Sequence, residues 1–562
     1  MENKEYMLID GNPVEINGEK NLLEVIRKAG IELPTFCYHS ELSVYGACRM
    51  CMVENSHGGM EAACSTVPKA GMEIYTERLH KHRKMILELL LANHCRDCTT
   101  CQKNGKCRLQ ELASLFGLES IRFKNLKPEP ELDTSSLSII RDAHKCILCG
   151  DCVRMCNEIQ NVGAIDFVNR GSKMVIGPAF NEPIANSPCV GCGQCAAVCP
   201  TGAIVIRKDT GRVWPELNDK NTKVVAQVAP AVRVAMAKEF GLPENENSMG
   251  RITAALRRLG FDEVYDTATG ADLTVLEESN EFLQRIEAGE NLPLITSCCP
   301  AWIQYCEKNH PELMKNVSTC KSPMQMFSSV IKAKYATSSR RVVCVAVMPC
   351  TAKKFECARE EFMHDGVPET DYVITTQELI QMIHKAGIVF DELEPEAVDS
   401  VFSTCTGAGV IFGVTGGVTE AVLRRLSTDK SNKALMSIAF NDVRGMKGVK
   451  ETTIPYGDKE VRIAIVSGLK NAEKVIQALK NGEHFDFIEV MACPGGCVAG
   501  GGQPFGTNAT KEVRGKALYS ADKMLSIKRS EENPLMLSLY DGVLKGRVHE
   551  LLHVHYNHKE EE

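Results

Sequence analysis

Two copies of one cysteine pattern constrain the fold of this chain more than any other feature. Each copy has the spacing C-x2-C-x2-C-x3-C, and the eight cysteines are Cys146, Cys149, Cys152, Cys156, Cys189, Cys192, Cys195 and Cys199. The chain has 562 residues and 26 cysteines, and its N-terminal sequence MENKEYMLID lacks the basic and apolar regions of an export signal. We therefore expect a cytoplasmic protein. In that reducing compartment, many cysteines indicate metal or redox chemistry rather than disulfides.

The repeated pattern resembles the signature of bacterial two-cluster ferredoxins, in which the fourth cysteine of each run binds the other cluster. The resemblance implies two 4Fe-4S centres, one held by Cys146, Cys149, Cys152 and Cys199 and the other by Cys189, Cys192, Cys195 and Cys156. Asn157 follows the first run where the signature has proline, whereas the second run keeps Pro200. We therefore expect a ferredoxin-like domain with two 4Fe-4S clusters over residues 126–210.

A second cysteine set lies closer to the N-terminus, among segments with strand-like patterns. MLIDGNPVEI and MEIYTE are predicted strands and NLLEVIRKAG is a predicted helix. The four cysteines are Cys37, Cys48, Cys51 and Cys64. A C-x2-C pair inside such a set suits a 2Fe-2S cluster, with zinc as the alternative on spacing alone. The segment is similar to the 2Fe-2S domain of respiratory NADH dehydrogenases, which implies a β-grasp domain over residues 1–79.

The next segment, LLLANHCRDCTTCQKNGKC, contains one histidine among its cysteines. The pattern H-x3-C-x2-C-x5-C is formed by His94, Cys98, Cys101 and Cys107. It resembles the 4Fe-4S site with one histidine and three cysteine ligands that follows the 2Fe-2S domain in the same families. Cys95 in place of His94 would give an all-cysteine alternative, which the sequence leaves open. We expect a small histidine-ligated 4Fe-4S domain over residues 80–125.

Apolar runs from about residue 222 onward indicate a different kind of domain. TKVVAQVAPAVRVAMAKEFG, RRVVCVAVMPC, VRIAIVSGL and FDFIEVMAC each lead into a helix or a glycine-rich turn. Apolar strands that alternate with helices predict an α/β domain whose sheets are covered on both faces. Ligands of such sheets bind beyond the carboxyl ends of the strands, which is where further cysteines occur.

Three motifs at these strand ends resemble, in this order, the signature segments of the catalytic domain of iron-only (FeFe) hydrogenases. They are TSCCPAW, MPCTAKKFE and EVMACPGGCVAGGGQP. The resemblance implies a 4Fe-4S cube held by Cys299, Cys350, Cys493 and Cys497. It also implies that Cys497 bridges to a diiron unit with carbon monoxide, cyanide and dithiolate ligands, the two parts forming the H-cluster. Glycines would let the backbone approach this bulky group: Gly495, Gly496, Gly500, Gly501 and Gly502.

Cys298 stands directly before Cys299 and is poorly placed to bind the same cluster, because consecutive Cβ atoms diverge. The resemblance implies that Cys298 is a free thiol that passes a proton between the cofactor and the protein. An ordinary thiol pKa of ~8.5 suits a neutral donor near physiological pH. From the residues alone, a buried inert thiol is an equally good interpretation.

The resemblance also implies a proton relay through Glu278, Ser318 and Glu281. In DLTVLEESNEFLQRIEAG, the spacing of Glu278, Glu281 and Arg285 puts all three on one helix face. Without the resemblance, a solvated charged face is the simpler interpretation. A buried carboxyl group in the relay would have a raised pKa, which suits proton transfer at neutral pH.

Other residues are assigned to the cofactor pocket by the same resemblance. Lys353 would donate to a cyanide ligand, although its spacing to Glu356 by itself predicts a surface ion pair. Met348 and Met491, otherwise core residues, would flank the diiron unit. The remaining predicted pocket residues are Ala229, Pro230, Ser322 and Pro323.

Three positions depart from the pattern of some family members. Ala231 in VAPAVR stands where some relatives have serine, and Met324 in KSPMQM stands where some have glutamine. Ala301 in TSCCPAW replaces a glycine. None of the three removes a metal ligand.

The sequence thus predicts a multidomain α+β and α/β protein, with a two-lobed α/β catalytic domain containing parallel sheets over residues 211–562. Its expected reaction is the reversible reduction of two protons to dihydrogen. Four N-terminal clusters, one 2Fe-2S and three 4Fe-4S, would carry electrons to ferredoxin. The C-terminal HELLHVHYNHKEEE is predicted to be a docked helix followed by a charged tail.

The alternative is the hydrogen-handling subunit of an NAD(P)-linked, electron-bifurcating complex with flavin- or NAD(P)H-binding iron-sulfur subunits. No G-x-G-x-x-G motif follows a predicted strand in this chain. A non-catalytic iron-sulfur assembly protein or a hydrogen sensor is disfavoured by the presence of Cys298, Lys353 and the relay residues. The diiron unit would require separate maturation proteins.

Bulk properties exclude other classes. The net charge of −7, with acids and bases interspersed, argues against nucleic-acid binding. No apolar run reaches the ~18 residues of a membrane span.

Overall fold

The structure is a computed structural model that describes residues 5–125, 131–427, 443–445, 448–456 and 459–556. Its first domain is a five-stranded sheet with the strand order β2-β1-β5-β3-β4. The strands are β1 Glu5–Ile9, β2 Asn12–Ile16, β3 Met52–Asn55, β4 Met60–Ala62 and β5 Glu73–Tyr75, and helix α1 is Leu22–Lys28. Only the β1–β5 pair is parallel. Asn21 caps α1 because its side chain accepts a hydrogen bond of 3.1 Å from the Glu24 amide. The predicted strands and helix are confirmed.

Two helices follow, α2 His80–Ala92 and α3 Arg108–Leu115. Arg83 of α2 is buried and donates to the carbonyl oxygens of Met52 and Thr76, at 2.7 and 2.6 Å. Buried carbonyl groups require such partners. These contacts therefore attach α2 to the first domain.

The ferredoxin-like segment contains two antiparallel strand pairs and two short helices. The strands are β6 Ile139–Arg141 with β9 Ile204–Ile206, and β7 Asp166–Val168 with β8 Val175–Gly177. Helices α4 Asp151–Arg154 and α5 Gln194–Val198 each start inside a cysteine run. Gly150 and Gly193, with φ of 77° and 70°, precede these helices in the left-handed conformation that favours glycine. The sequence repeat is therefore also a structural repeat.

The remainder of the described chain forms two lobes, each with a four-stranded sheet. The first sheet has the order β11-β10-β13-β16 and is entirely parallel, with β10 Thr222–Val228, β11 Glu263–Asp266, β13 Arg341–Met348 and β16 Tyr372–Thr375. The second has the order β12-β19-β18-β17, with β12 Leu294–Ile295, β17 Val449–Tyr456, β18 Lys459–Ser467 and β19 Phe487–Met491. Here β17 pairs antiparallel with β18. The parallel sheets are confirmed, except that the second sheet has this antiparallel edge strand. A small hairpin is formed by β14 Met363–His364 and β15 Val367–Pro368.

Helices cover these sheets. They are α6 Thr210–Asn218, α7 Met249–Leu259, α8 Ala268–Ala288, α9 Pro300–Asn309, α10 Pro323–Lys334, α11 Ala352–Glu356, α12 Thr376–Lys385, α13 Gly407–Val410, α14 Gly417–Leu426, α15 Leu469–Lys480, α16 Asn508–Met524, α17 Pro534–Asp541 and α18 Val548–Leu552. Leu273 and Leu276 of α8 pack with residues of the first sheet, whereas Phe282 and Ile286 pack with residues of the second. Helix α8 therefore contacts the cores of both lobes.

The C-terminal segment is docked, as predicted. Leu551 and Leu552 are buried, and the Val554 amide donates to the Thr319 carbonyl oxygen at 2.7 Å. The predicted charged tail, residues 557–562, lies outside the described part of the chain. Among the described residues, no helix is long and apolar enough to cross a membrane.

Candidate active site

An apolar cavity of about 90 Å³ lies where the carboxyl ends of strands from both sheets meet. Its wall includes the segments that follow β10, β13, β12 and β19, represented by Pro230, Pro349, Cys299 and Ala492. The location beyond the strand ends agrees with the sequence prediction for α/β sheets. Four chain segments that are distant in sequence thus form one pocket.

The four predicted cube cysteines, Cys299, Cys350, Cys493 and Cys497, all line this cavity. The Ala492 amide donates to the Cys299 sulfur at 3.5 Å, as expected around a thiolate ligand. Burial raises the pKa values of Cys350 and Cys497 to about 11 and about 12. These thiols therefore favour the neutral form unless a metal group replaces the proton.

Two glycines beside these cysteines are required by close backbone contacts. A Cβ atom on Gly500 would lie 2.2 Å from the Pro349 carbonyl oxygen, and one on Gly496, with φ of 88°, would lie 2.6 Å from the Thr415 amide nitrogen. Larger side chains cannot occupy such positions without moving the backbone. The glycine-rich segment is thus packed tightly around the cavity, and this donor set and close packing fit an iron-sulfur group.

Cys298 also lines the cavity, but it packs with residues of the helices beside the cavity, including Ala271 and Phe412. Cys299 additionally contacts the apolar core around the second sheet. The two neighbouring thiols therefore have different surroundings. Burial, with a further contribution from the Glu278 carboxylate, raises the pKa of Cys298 well above its usual value. The expectation of an ordinary thiol pKa was wrong, because it did not include the cost of forming a thiolate in an apolar environment.

Glu278 is completely buried on α8, so the interpretation of a solvated face is wrong for this residue. Neither of its carboxyl oxygens has a well-formed hydrogen bond among the described residues, although the Ser297 amide and the Ser318 hydroxyl lie close enough to lower its pKa. Burial, and then repulsion from Glu281, raise the pKa of Glu278 to about 8. A carboxyl group with this pKa can gain and lose a proton near neutral pH.

Glu281 lies one helical turn further along α8 and is connected to the protein surface. The Ser318 hydroxyl donates to Glu281 Oε2 at 2.7 Å, and the Thr319 amide donates to the same carboxylate at 3.1 Å. Arg285 forms an ion pair with Glu281 at 2.6 Å, and its side chain is 11% exposed. The structure therefore brings Ser318, Glu281 and Arg285 into one hydrogen-bonded chain near Glu278.

Lys353 lies in the cavity wall and its ammonium group is paired. Its Nζ is 2.7 Å from Glu356 Oε2 and donates to the Cys298 carbonyl oxygen at 3.2 Å. Burial lowers the pKa of Lys353, but Glu356 outweighs this effect and the pKa is raised overall. Both side chains are buried, so the prediction of a surface ion pair was right about the pairing and wrong about its location.

Most of the other predicted pocket residues are found in the wall. These are Ala229, Pro230, Pro323, Met348 and Met491, together with the departures Ala231 and Met324. Ser322 is fully buried but is not among the residues that line the cavity. Ala301 is buried in the core beside Trp302.

Sequence reasoning missed several wall residues, among them Thr267, Ala271 and Phe412. Thr267 directly follows β11, so its position at a carboxyl strand end was a usable signal. Ala271 and Phe412 come from helical segments without a chemical motif, and nothing in the sequence marks them. Sequence reasoning also missed Gln194, which lies in the ferredoxin-like segment. Its amide nitrogen donates to the Cys493 sulfur at 3.2 Å.

The repeated cysteines group as the two-cluster pattern predicts. A cavity of about 20 Å³ is lined by Cys146, Cys149, Cys152 and Cys199, the set that takes its fourth member from the second run. The thiols of Cys192 and Cys195 interact electrostatically with those of Cys156 and Cys189. The structure therefore brings together both sets of four.

The N-terminal cysteines also come together. The thiol of Cys37 contacts those of Cys48 and Cys64, and Cys51 contacts Cys64. The Phe36 amide donates to the Cys48 sulfur at 3.4 Å. This compact group with an amide-to-sulfur contact suits an iron-sulfur cluster.

In the following segment, the thiols of Cys98 and Cys101 lie close enough to raise the pKa of Cys107, after the larger effect of burial. The Cys95 thiol instead donates to the Asp97 carboxylate at 3.3 Å. His94 is partly buried just after α2.

The three N-terminal cysteine-rich segments pack against one another. One apolar cluster contains Cys37, Cys107 and Cys149, which belong to three different sets.

Comparison with known families agrees with this organisation. Residues 222–501 match "Iron only hydrogenase large subunit, C-terminal domain", and residues 508–559 match "Iron hydrogenase small subunit". The N-terminal segments match "2Fe-2S iron-sulfur cluster binding domain" at 6–79, "NADH-ubiquinone oxidoreductase-G iron-sulfur binding region" at 83–122 and "4Fe-4S dicluster domain" at 145–207.

Two proteins are similar over nearly the whole chain, and a solved structure is similar over a shorter part. NADP-reducing hydrogenase subunit HndD from Solidesulfovibrio fructosivorans is 41% identical, with 98% of each chain covered. Iron hydrogenase 1 from Clostridium pasteurianum is 35% identical, with 98% of this chain and 99% of that protein covered. The structure of a variant of HydA1 from Chlamydomonas reinhardtii matches with 37% identity and a TM-score of 0.54 over 62% of this chain and 98% of that chain.

The cysteine-lined cavity, the accessory cysteine sets and these similarities lead to one conclusion. The chain belongs to the iron-only (FeFe) hydrogenases and is an enzyme that interconverts protons, electrons and dihydrogen.

Proposed function

We propose that Cys299, Cys350, Cys493 and Cys497 hold the 4Fe-4S cube and that Cys497 also bridges to the diiron unit with its carbon monoxide, cyanide and dithiolate ligands. The convergence of all four thiols on one buried cavity between the two sheets carries this proposal. When bound, this cofactor supplies the chemistry that joins two protons and two electrons into dihydrogen. The protein residues around the cavity position the group, exclude water and move protons.

Cys298 holds a proton at its sulfur in the cavity wall, where its thiol interacts electrostatically with Glu278. Its raised pKa keeps the thiol neutral at physiological pH, so it acts by exchanging a proton rather than by remaining ionised. Glu278 is the next group, since its pKa of about 8 allows either protonation state near neutral pH. Ser318 and Glu281 continue the relay through their 2.7 Å hydrogen bond, and Arg285 orients Glu281 at the protein surface.

Lys353 provides the positive charge of the cavity wall. Its ammonium group is fixed by Glu356 and by the Cys298 carbonyl oxygen, so it is oriented before the cofactor binds. Met348, Met491, Ala229, Pro230 and Pro323 supply the apolar surface that excludes water. Ser322 precedes Pro323, and its buried hydroxyl has no hydrogen-bond partner among the described residues.

The N-terminal clusters carry electrons between the cube and external partners. The proposed wire has a 2Fe-2S cluster in domain 1–79, a histidine-ligated 4Fe-4S cluster in domain 80–125 and two 4Fe-4S clusters in domain 126–210. Catalytic domain 211–562 holds the fourth 4Fe-4S group. The hydrogen bond from Gln194 to the Cys493 sulfur, together with the electrostatic interaction between the thiols of Cys192 and Cys493, supports the second ferredoxin-like site as the neighbour of the cube.

His94 is proposed as the fourth ligand of the second cluster because the Cys95 thiol is directed to Asp97. The proposed ligands of the first cluster are Cys37, Cys48, Cys51 and Cys64. One ferredoxin-like cluster would be held by Cys146, Cys149, Cys152 and Cys199, and the other by Cys189, Cys192, Cys195 and Cys156.

Ferredoxin in the cytoplasm is the simplest electron partner of such a wire, and maturation proteins would supply the diiron unit. The 41% identity over 98% of both chains to a protein named as a subunit of an NADP-reducing hydrogenase favours a second candidate. In this version the chain is the hydrogen-handling subunit of an NAD(P)-linked complex, possessing the wire but receiving its flavin and nucleotide sites from other subunits.

An infrared spectrum of the chain produced anaerobically with the maturation proteins tests the cofactor. Metal-bound cyanide and carbonyl bands that shift under dihydrogen are expected. A protein with its full iron-sulfur content and no such bands would contradict the proposed H-cluster.

The electron partner is tested by dihydrogen-dependent reduction of ferredoxin and of NADP⁺ by the isolated chain. Reduction of ferredoxin alone is expected, and direct reduction of NADP⁺ would contradict the assignment of the nucleotide site to other subunits.

A further inference from the structure

Gln194 connects two parts of the molecule that are 299 positions apart in sequence. Its Nε2 donates to the Cys493 sulfur at 3.2 Å and to the Ala499 carbonyl oxygen at 2.9 Å. The side chain is buried. Gln194 belongs to the ferredoxin-like segment, between Cys192 and Cys195, whereas Cys493 is a proposed ligand of the cube.

The two contacts fix the orientation of the amide group. An amide nitrogen has two hydrogens, and here one is directed to a sulfur atom and the other to a carbonyl oxygen. The opposite orientation would place the amide oxygen against the Ala499 oxygen, which is unfavourable because both are acceptors. The Ala499 carbonyl therefore holds the N–H donor on the Cys493 sulfur.

The backbone around Gln194 is fixed as well. Gly501 packs directly on the loop before Gln194, since a Cβ at Gly501 would lie 2.4 Å from the Cys192 carbonyl oxygen and 2.8 Å from the Gly193 Cα. Gly193 itself leaves no space for a side chain, because its Cβ would lie 2.4 Å from Thr351 Oγ1. Close packing of the two segments therefore holds the contact between Gln194 and Cys493 in place, and we refer to this contact as the junction.

We propose that Gln194 is a positioning residue that tunes the cube: its N–H donor on the Cys493 sulfur raises the reduction potential of the cube. This inference rests on the proposed cube ligands. The direction of this shift in reduction potential follows from the charge of the cluster. Reduction adds one negative charge to the cluster and its thiolates, and a hydrogen bond to a thiolate sulfur stabilises the more negative state. Hydrogen bonds to cluster sulfurs are among the factors that set these potentials.

The junction also ties together the two segments that contain the two redox centres. The thiols of Cys192 and Cys493 interact electrostatically, and Gln194 follows Cys192 by two residues. A hydrogen bond from this segment to the cube ligand holds the two sites at a fixed separation. The same residue therefore places a donor on the cube ligand and maintains the approach of the two sites.

The test is an EPR-monitored redox titration of the full-length, cluster-loaded protein. The cube signal is first identified by its loss in Cys299→Ser. Gln194→Leu, which keeps the size and removes the donor, is expected to move the cube midpoint to a more negative potential. At a fixed poise near the wild-type midpoint, the reduced-to-oxidised ratio should fall by about tenfold, as for the loss of about 1.4 kcal/mol of interaction.

Gln194→Met provides a second variant of similar size in case the leucine variant does not fold. It also lacks the N–H donor and is expected to shift the midpoint in the same direction. Gln160→Leu is the matched control, because Gln160 is buried in the same segment but neither amide atom has a hydrogen-bond partner among the described residues. It should leave the cube midpoint unchanged.

Each outcome separates the inference from the proposed ligands. An unchanged cube midpoint in folded Gln194→Leu and Gln194→Met, with full iron content, would overturn the role of Gln194 while leaving the ligands intact. An equal shift in Gln160→Leu would do the same, because it would reveal a general effect of the segment. If Cys299→Ser removes no cluster signal, the proposed cube ligands themselves fail.

Discussion

Lys353 and Glu356 form a buried ion pair at the wall of the active-site cavity, with 2.7 Å between Nζ and Oε2. The two residues are one helical turn apart on α11, which is only five residues long. A buried charge is costly unless it is paired, and each partner here neutralises the other. The pair therefore combines a structural function with the placement of a cation in the cavity.

Replacing Lys353 by methionine should destabilise the protein by about 3–5 kcal/mol, because it leaves the Glu356 carboxylate buried without its partner. Hydrogen evolution should be lost as well. The double variant Lys353→Met/Glu356→Gln removes both charges and should recover most of the thermal stability without recovering activity. Recovery of activity in the double variant would show that Lys353 has no direct role at the cavity.

Glu278→Gln should change the dependence of stability on pH. The pKa of Glu278 is raised from 4.5 to about 8 in the folded protein, so the carboxyl group keeps its proton after the unfolded chain has lost it. Its contribution to stability is complete below about pH 4.5 and is lost as the pH rises toward 8. The variant should therefore gain stability relative to the wild type by about 1.4 kcal/mol per pH unit in this window.

Thermal unfolding of both proteins between pH 6 and 8.5 measures this difference. A constant difference across the range would mean that Glu278 does not have a raised pKa. The same variant should also slow hydrogen evolution, because glutamine cannot exchange a proton.

Cys298→Ser and Cys299→Ser should have different effects on iron content, although the residues are neighbours. Cys298→Ser should retain all the iron but lower the rate of hydrogen evolution by about 10²–10⁴-fold, the contribution typical of a proton donor. Cys299→Ser should lose iron from the cube. Iron analysis and EPR, combined with activity assays, separate the two results, and a loss of cube iron in Cys298→Ser would contradict the assignment.

His94→Ala and Cys95→Ser test which residue completes the histidine-ligated site. We expect His94→Ala to lose about four iron atoms, the content of one 4Fe-4S cluster, and Cys95→Ser to lose none, since the Cys95 thiol interacts with Asp97. His94→Cys should retain the cluster but lower its reduction potential, because thiolate is more negative than imidazole. Loss of iron in Cys95→Ser would favour the all-cysteine set.

The spacing of apolar residues along the chain made much of the fold predictable. The strands β10, β13, β18 and β19 coincide with apolar runs because parallel strands covered on both faces require apolar residues throughout. The antiparallel edge strand β17 was not predicted. Its alternating exposure gives a weaker signal, because only one of its faces is packed in the core.

The sequence alone determined the cysteine sets, the families that they resemble and the cysteine-bearing segments that reach the cavity, because ligand spacing within a short run is a covalent property of the chain. Only the tertiary structure decided the environment of each group. It buried Lys353 with Glu356, raised the pKa of Cys298 and Glu278, and brought Gln194 to Cys493. Desolvation and contacts across 299 positions depend on how the lobes and the ferredoxin-like segment pack, and no short-range pattern in the sequence specifies them.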